Sequence, residues 1–256
     1  DASTSSPGPL ANAPAAPSLV EPPHRVERPV MLQSWRDVSF LHWRYHPDAV
    51  QRLLPDGLTV DTFDGSAWVG LIGFEMVGIR LPGLLPVPYL GTFPETNVRT
   101  YVRDAGGRPG VWFHSLEASH VIPVVTARLG YRLPYMWSRM SIDREASVIR
   151  YRSSRRWPRP SGAEGNFTVT TDPQSTQSTE LDAFLTARWG LYSTGPRRSL
   201  RYAPVEHPSW PLHAASASEV STDLIEAAGY PAPTSDAHVR WSPGVPVRVG
   251  LPGRIR

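Results

Sequence analysis

The stretch Glu95-Thr96-Asn97-Val98-Arg99-Thr100-Tyr101 concentrates more reactive side-chain chemistry than any other part of the sequence. If it is a strand, alternation places Glu95, Asn97, Arg99 and Tyr101 on one face, so acid, amide, guanidinium and phenol stand in a row. Turned outward, such a row is the wet side of an antiparallel sheet. Turned inward it is costly unless satisfied, and it persists as a closed hydrogen-bond network or as a ligand site. In the second case Arg99 suits a carboxylate and Glu95 suits proton transfer. The pattern alone leaves both open.

A second carboxylate, Glu75, interrupts the apolar run Trp68 to Val77. An acid in apolar surroundings either has its pKa raised or finds a cation, and either state serves acid or base work. The structural alternative is an ion pair with an arginine such as Arg128. His42 and His46 lie four residues apart, about 13 Å on a strand, too far to share one metal, so neither a metal nor a cofactor is expected. His114 alternates with Phe113 and Ser115 and reads as a core or rim histidine. His207-Pro208-Ser209-Trp210-Pro211 reads as a rigid aromatic turn that either closes a pocket or pins a loop to the core, and Trp35, Trp43, Trp68 and Trp112 read as core rather than an aromatic cage. There is no P-loop, dinucleotide fingerprint, Gly-x-Ser-x-Gly elbow or His-Glu-x-x-His helix.

The elements that must position these residues are short apolar runs broken by 28 prolines and 20 glycines, which favours antiparallel strands joined by tight turns. Expected strands include Phe40 to Tyr45, Ala67 to Ile79, Thr96 to Arg103, Gly110 to Glu117, Tyr135 to Ile142, Leu200 to Val205, His238 to Trp241 and Val245 to Gly250. Helices are expected over Pro47 to Leu54, Val121 to Tyr131, Glu180 to Leu191 and Thr222 to Ala228, with a hairpin turn at Asp104 to Gly107. Residues 1 to 29, rich in Ala, Pro and Ser, read as a disordered tail rather than a signal peptide, and 30 to 256 as one domain.

All 26 basic residues are arginine, and 23 acids offset them to a net charge of +3. Without a concentrated basic face no nucleic-acid partner is expected, and without a long apolar run no membrane span. Cysteine is absent, which removes disulfides and thiolate chemistry. A cytoplasmic protein acting on a small molecule, with a homo-oligomer left open, is the expectation.

Phe40-Leu41-His42-Trp43, Leu53-Leu54-Pro55-Asp56-Gly57-Leu58, Ala67-Trp68-Val69-Gly70, Glu95 to Tyr101 and Leu133-Pro134-Tyr135 closely resemble the YqjF-like proteins. These in turn look related to acetoacetate decarboxylase, and the resemblance runs from about Pro29 onward. It implies an α+β, mainly antiparallel, cone-like closed barrel with a few short helices and an apolar internal site. It also implies that Glu75, after Phe74, and Glu95, after Phe93-Pro94, match the two active-site glutamates of the decarboxylase. Tyr135 falls where the decarboxylase has its imine-forming lysine. Arg36 or Arg44 matches the arginine that meets the substrate carboxylate.

That departure decides the chemistry, because an imine needs an amine nucleophile and the sequence has no lysine. Two readings remain. One is a cofactor-independent enzyme in which Glu95 or Glu75 moves the proton. Arg99, Arg36 or Arg44 holds an anion, and Tyr135 or Asn97 stabilises an enolate oxygen, with Tyr101, Arg128 and His114 also about the site. The other is a non-catalytic protein that binds or senses an apolar acid in the same pocket; beside these two stands a stress-related or structural protein whose pocket is vestigial and filled by side chains.

Overall fold

A computed structural model describes residues 21–23, 25–86, 91–120, 132–175 and 177–255. The expected helix Val121 to Tyr131, and Arg128 with it, lie outside the described residues.

Among the described residues thirteen strands form one sheet. In chain order they are β1 (Met31–Tyr45), β2 (Leu58–Val60), β3 (Ala67–Arg80), β4 (Phe93–Asp104), β5 (Pro109–Ala118), β6 (Tyr135–Glu145) and β7 (Val148–Trp157). There follow β8 (Glu164–Ser175), β9 (Gly190–Thr194), β10 (Leu200–Glu206), β11 (His213–Thr222), β12 (His238–Val249) and β13 (Gly253–Arg254). Among the described residues three short α-helices interrupt them: α1 (Pro47–Gln51), α2 (Glu180–Thr186) and α3 (Leu224–Ala227).

The sheet closes twice. Strands β4, β5, β6, β7, β8, β11, β12, β1 and β3 form a nine-stranded ring sealed by the β4–β5 pair, antiparallel except where β6 lies parallel to β5. A smaller ring runs β5–β9–β10–β12–β1–β3–β4, because β9 pairs with β5 and β10 with β12. The wall β12–β1–β3–β4–β5 is therefore shared and covered on both faces. That is why β3 and β4 are buried almost without alternation.

Strand parity sorts the shared wall. Leu41, Trp43, Val69, Leu71 and Val98 face the larger ring, where they meet Ile149, Tyr151, Phe167 and Val169. Each fully buried aliphatic side chain there contributes about 1.5–3 kcal/mol. Gly73 sits where a Cβ would come 2.7 Å from the rings of both Tyr151 and Phe167, so only hydrogen fits beneath that stacked pair. Phe40, Ile72, Phe74, Met76 and Phe93 face the smaller ring.

Two bulges break the alternation. Between Arg36 and Ser39 the β1–β3 register shifts, with Asp37 at φ 49°, so Gln33 and Trp35 share a side with Val38 and Phe40. In β5 the register skips His114, so Phe113 and Leu116 face the same cavity.

Several boundaries differ from the sequence expectation. β1 begins at Met31 rather than Phe40, and β12 runs unbroken through Pro243 because it pairs along β1 throughout. The helix expected to Leu191 ends at Thr186, and the chain re-enters the sheet as β9, where Gly190 leaves room for the Tyr202 ring. Val26, which composition assigned to the tail, is buried and bonded to Glu206 and Arg248.

Candidate functional site

The smaller ring encloses a cavity of about 90 Å³. A single water needs only about 10–15 Å³ of such space, so there is room for a small organic compound. Its walls are mostly apolar: Phe40, Ile72, Phe74, Met76, Val111, Phe113 and Leu116, with Trp35 and Trp210 stacked at 5.9 Å.

The reactive row of β4 points inward. Glu95, Asn97 and Arg99 line the cavity and are 2 %, 3 % and 9 % exposed, while Tyr101 is wholly buried behind Arg99. Glu95 accepts a 3.0 Å hydrogen bond at Oε2 from the Tyr135 hydroxyl, which β6 delivers from beside Leu116. Burial pushes the Glu95 carboxyl up to about 8, against the pull of hydrogen bonds from Tyr135 and Asn97. The Tyr135 phenol is held well above its usual value, first by burial and then by the charge of Glu95.

Arg99 is held from behind. Its Nε donates to Tyr101 Oη at 3.2 Å and a terminal nitrogen donates to the Leu185 carbonyl at 3.3 Å. Tyr101 Oη in turn shares a 2.6 Å hydrogen bond with His42 Nε2, and burial followed by the charge of Arg99 keeps His42 neutral. Among the described residues no carboxylate forms an ion pair with Arg99. By contrast Arg188, also in the cavity wall, is bound to Asp61 Oδ2 at 2.6 Å. A buried guanidinium without a counter-ion is a ready anion site.

Sequence reasoning placed other residues here that lie elsewhere. Glu75 falls between Phe74 and Met76, so parity turns it away, and it pairs with Arg144 at 3.3 Å. Arg36 is exposed next to the β1 bulge, and Arg44 is exposed against Asp64 and the Trp68 ring. His114, pushed out by its bulge, bonds the Tyr230 hydroxyl at 2.6 Å, and burial holds it down to about 4. Arg188 and Gln33 line the cavity and were not singled out for it, and His207 and Trp210, from the turn that could close a pocket, line it as well. The Pro-flanked His207–Trp210 turn was legible as rigid, but nothing local to it shows which space it closes. Among the described residues no cluster of His, Asp and Glu suits a metal ion.

This doubly closed, mainly antiparallel barrel has the acetoacetate decarboxylase-like fold. Solved structures agree. The enduracididine biosynthesis enzyme MppR, complexed with the condensation product of pyruvate and imidazole 4-carboxaldehyde, superposes with a TM-score of 0.65 at 16 % identity over 98 % of both chains. An acetoacetate decarboxylase-like enzyme from Sphingomonas wittichii RW1 matches with a TM-score of 0.61 at 14 % identity, over 94 % of this chain and 99 % of that one.

Within that class the chain belongs to the DUF2071 family of uncharacterized conserved proteins, whose model matches residues 32–246. It is 33 % identical over 213 residues to the uncharacterized protein YqjF of Bacillus subtilis, covering 83 % of this chain and 87 % of that protein. No helix among the described residues is long and apolar enough to cross a membrane.

Proposed function

We propose that the protein is a cofactor-independent enzyme that moves a proton on a small carbonyl or carboxylate compound, with Glu95 as acid and base. The observation that carries this is a buried Glu95–Tyr135 pair sharing a small apolar cavity with Arg99, which has no carboxylate partner among the described residues. Arg99 holds the substrate anion. With Oε2 accepting from Tyr135, protonated Glu95 offers an O–H donor at one end of the cavity, where oxygen charge would develop, and ionised Glu95 accepts a proton from carbon or water. A carboxyl pushed up to about 8 supplies both forms near neutral pH.

Hydration, dehydration, isomerisation, aldol-type cyclisation and decarboxylation without an imine all need this step. Imine chemistry is not available, because Tyr135 stands at the position expected for lysine and the sequence has none. The fold supports a small-molecule pocket but does not choose among these reactions.

Solvent deuterium wash-in to a small oxo acid such as 4-oxopentanoate, followed by mass spectrometry, tests the reading. Wild type incorporates deuterium at a rate that rises through about pH 8. Glu95→Gln binds the acid but incorporates none above background. Equal exchange in the two proteins removes Glu95 from the chemistry, and binding without exchange in wild type favours a carrier or sensor of acids.

A further inference from the structure

The cavity wall contains hydrogen-bonding atoms that nothing among the described residues satisfies. Asn97 Oδ1, Gln33 Oε1 and Trp35 Nε1 are each buried without a partner among the described residues, and all three residues line the same space. Asn97 and Gln33 are more than nine-tenths buried, so bulk water does not supply the missing bonds. Orphaned groups of this kind cost stability, and the cost is recovered when a ligand supplies the partner.

The deficits differ in kind. Two acceptors lack donors and one donor lacks an acceptor, beside the Arg99 guanidinium. A simple oxo acid or fatty acid has only acceptors, so it would serve Arg99 and Trp35 and leave Asn97 and Gln33 unsatisfied. An ammonium group would bring donors, but it would also bring positive charge into a cavity that already holds Arg99 and Arg188. A neutral hydroxyl resolves this: it donates one proton and still offers lone pairs.

We infer that the cavity is built for a small hydroxy-carboxylic acid, with the carboxylate on Arg99 and the hydroxyl donated to the Asn97 or Gln33 side-chain oxygen. The inference deepens the proposed function and rests on its anion site. A site built to bond a substrate hydroxyl discriminates strongly against the analogue without it, because that analogue leaves buried polar atoms unpaired.

The experiment compares 3-hydroxybutyrate, as separate enantiomers, with butyrate by titration calorimetry at pH 7 on wild type, Asn97→Leu and Gln33→Met. One 3-hydroxybutyrate enantiomer binds wild type at least tenfold more tightly than butyrate. At least one of the two variants loses about tenfold for that enantiomer while its affinity for butyrate is unchanged. Gln33→Met, which deletes an unsatisfied oxygen, melts no lower than wild type, whereas loss of a merely structural residue would lower the melting temperature.

Equal affinity for the hydroxylated and plain acids, a preference that survives in both variants, or binding of neither acid at millimolar concentration overturns the inference. The deuterium wash-in needs no hydroxyl on its probe, so the proton-transfer reading stands or falls separately.

Discussion

Replacing Glu95 by Gln stabilises the protein at alkaline pH and leaves it nearly unchanged in acid. An unfolded glutamate ionises near 4.5, whereas burial in the cavity raises the folded value to about 8. Below 4.5 both states carry the proton and nothing is lost. Between the two values the unfolded chain releases its proton while the folded one retains it, so wild-type stability falls as pH rises and levels off above about 8. The gap of about 3.5 between those values, at 1.36 kcal/mol per pH unit, makes the full penalty on the order of 5 kcal/mol. At 2 % exposure solvent screening reduces it little. Glutamine has the shape and neutrality of the protonated acid and still accepts from Tyr135, so it escapes the penalty. Urea denaturation at pH 5, 7 and 9 reads the difference: Glu95→Gln and wild type agree within about 1 kcal/mol at pH 5 and diverge by several kcal/mol at pH 9. Parallel pH dependence of the two proteins would show that the carboxyl ionises in the fold as freely as in water, and the reasoning about the cavity would be refuted.

Tyr135→Phe removes a hydrogen bond that favours ionised Glu95, so the rise of the deuterium-exchange rate moves to a pH above 8, read from a pH–rate profile. Arg99→Met weakens binding of any small carboxylate by about a hundredfold in calorimetry. Its melting temperature changes little, because the lost hydrogen bonds to Tyr101 and the Leu185 carbonyl are offset by removal of a buried charge, and no carboxylate among the described residues is stranded. Gly73→Val drives a methyl-bearing Cβ into the stacked Tyr151 and Phe167 rings and costs about 1–3 kcal/mol in chemical denaturation, with no direct contact to the cavity.

The sequence by itself determined the chemistry that is available. With no lysine and no cysteine, imines and thiolates are removed whatever the fold, and the alternation of Glu95, Asn97, Arg99 and Tyr101 puts those groups on one face because a strand has period two. Its turns and strand centres were legible for the same local reason: Asp104 accepts from the amides of Gly106 and Arg108 at the expected hairpin. Which face looked inward was not legible. That depended on β4 lying in a wall shared by two rings, and the second ring is closed by β9, a strand that reads locally as the end of a helix. Bulges at Asp37 and His114 reset the alternation in β1 and β5, so Trp35 entered the cavity while Arg36 and His114 left it. Glu75 was lost to the site by a single step of parity, since its neighbours Phe74 and Met76 face the cavity and it must face away. Strand pairing between residues far apart in the chain sets these directions, and short-range patterns carry no record of it.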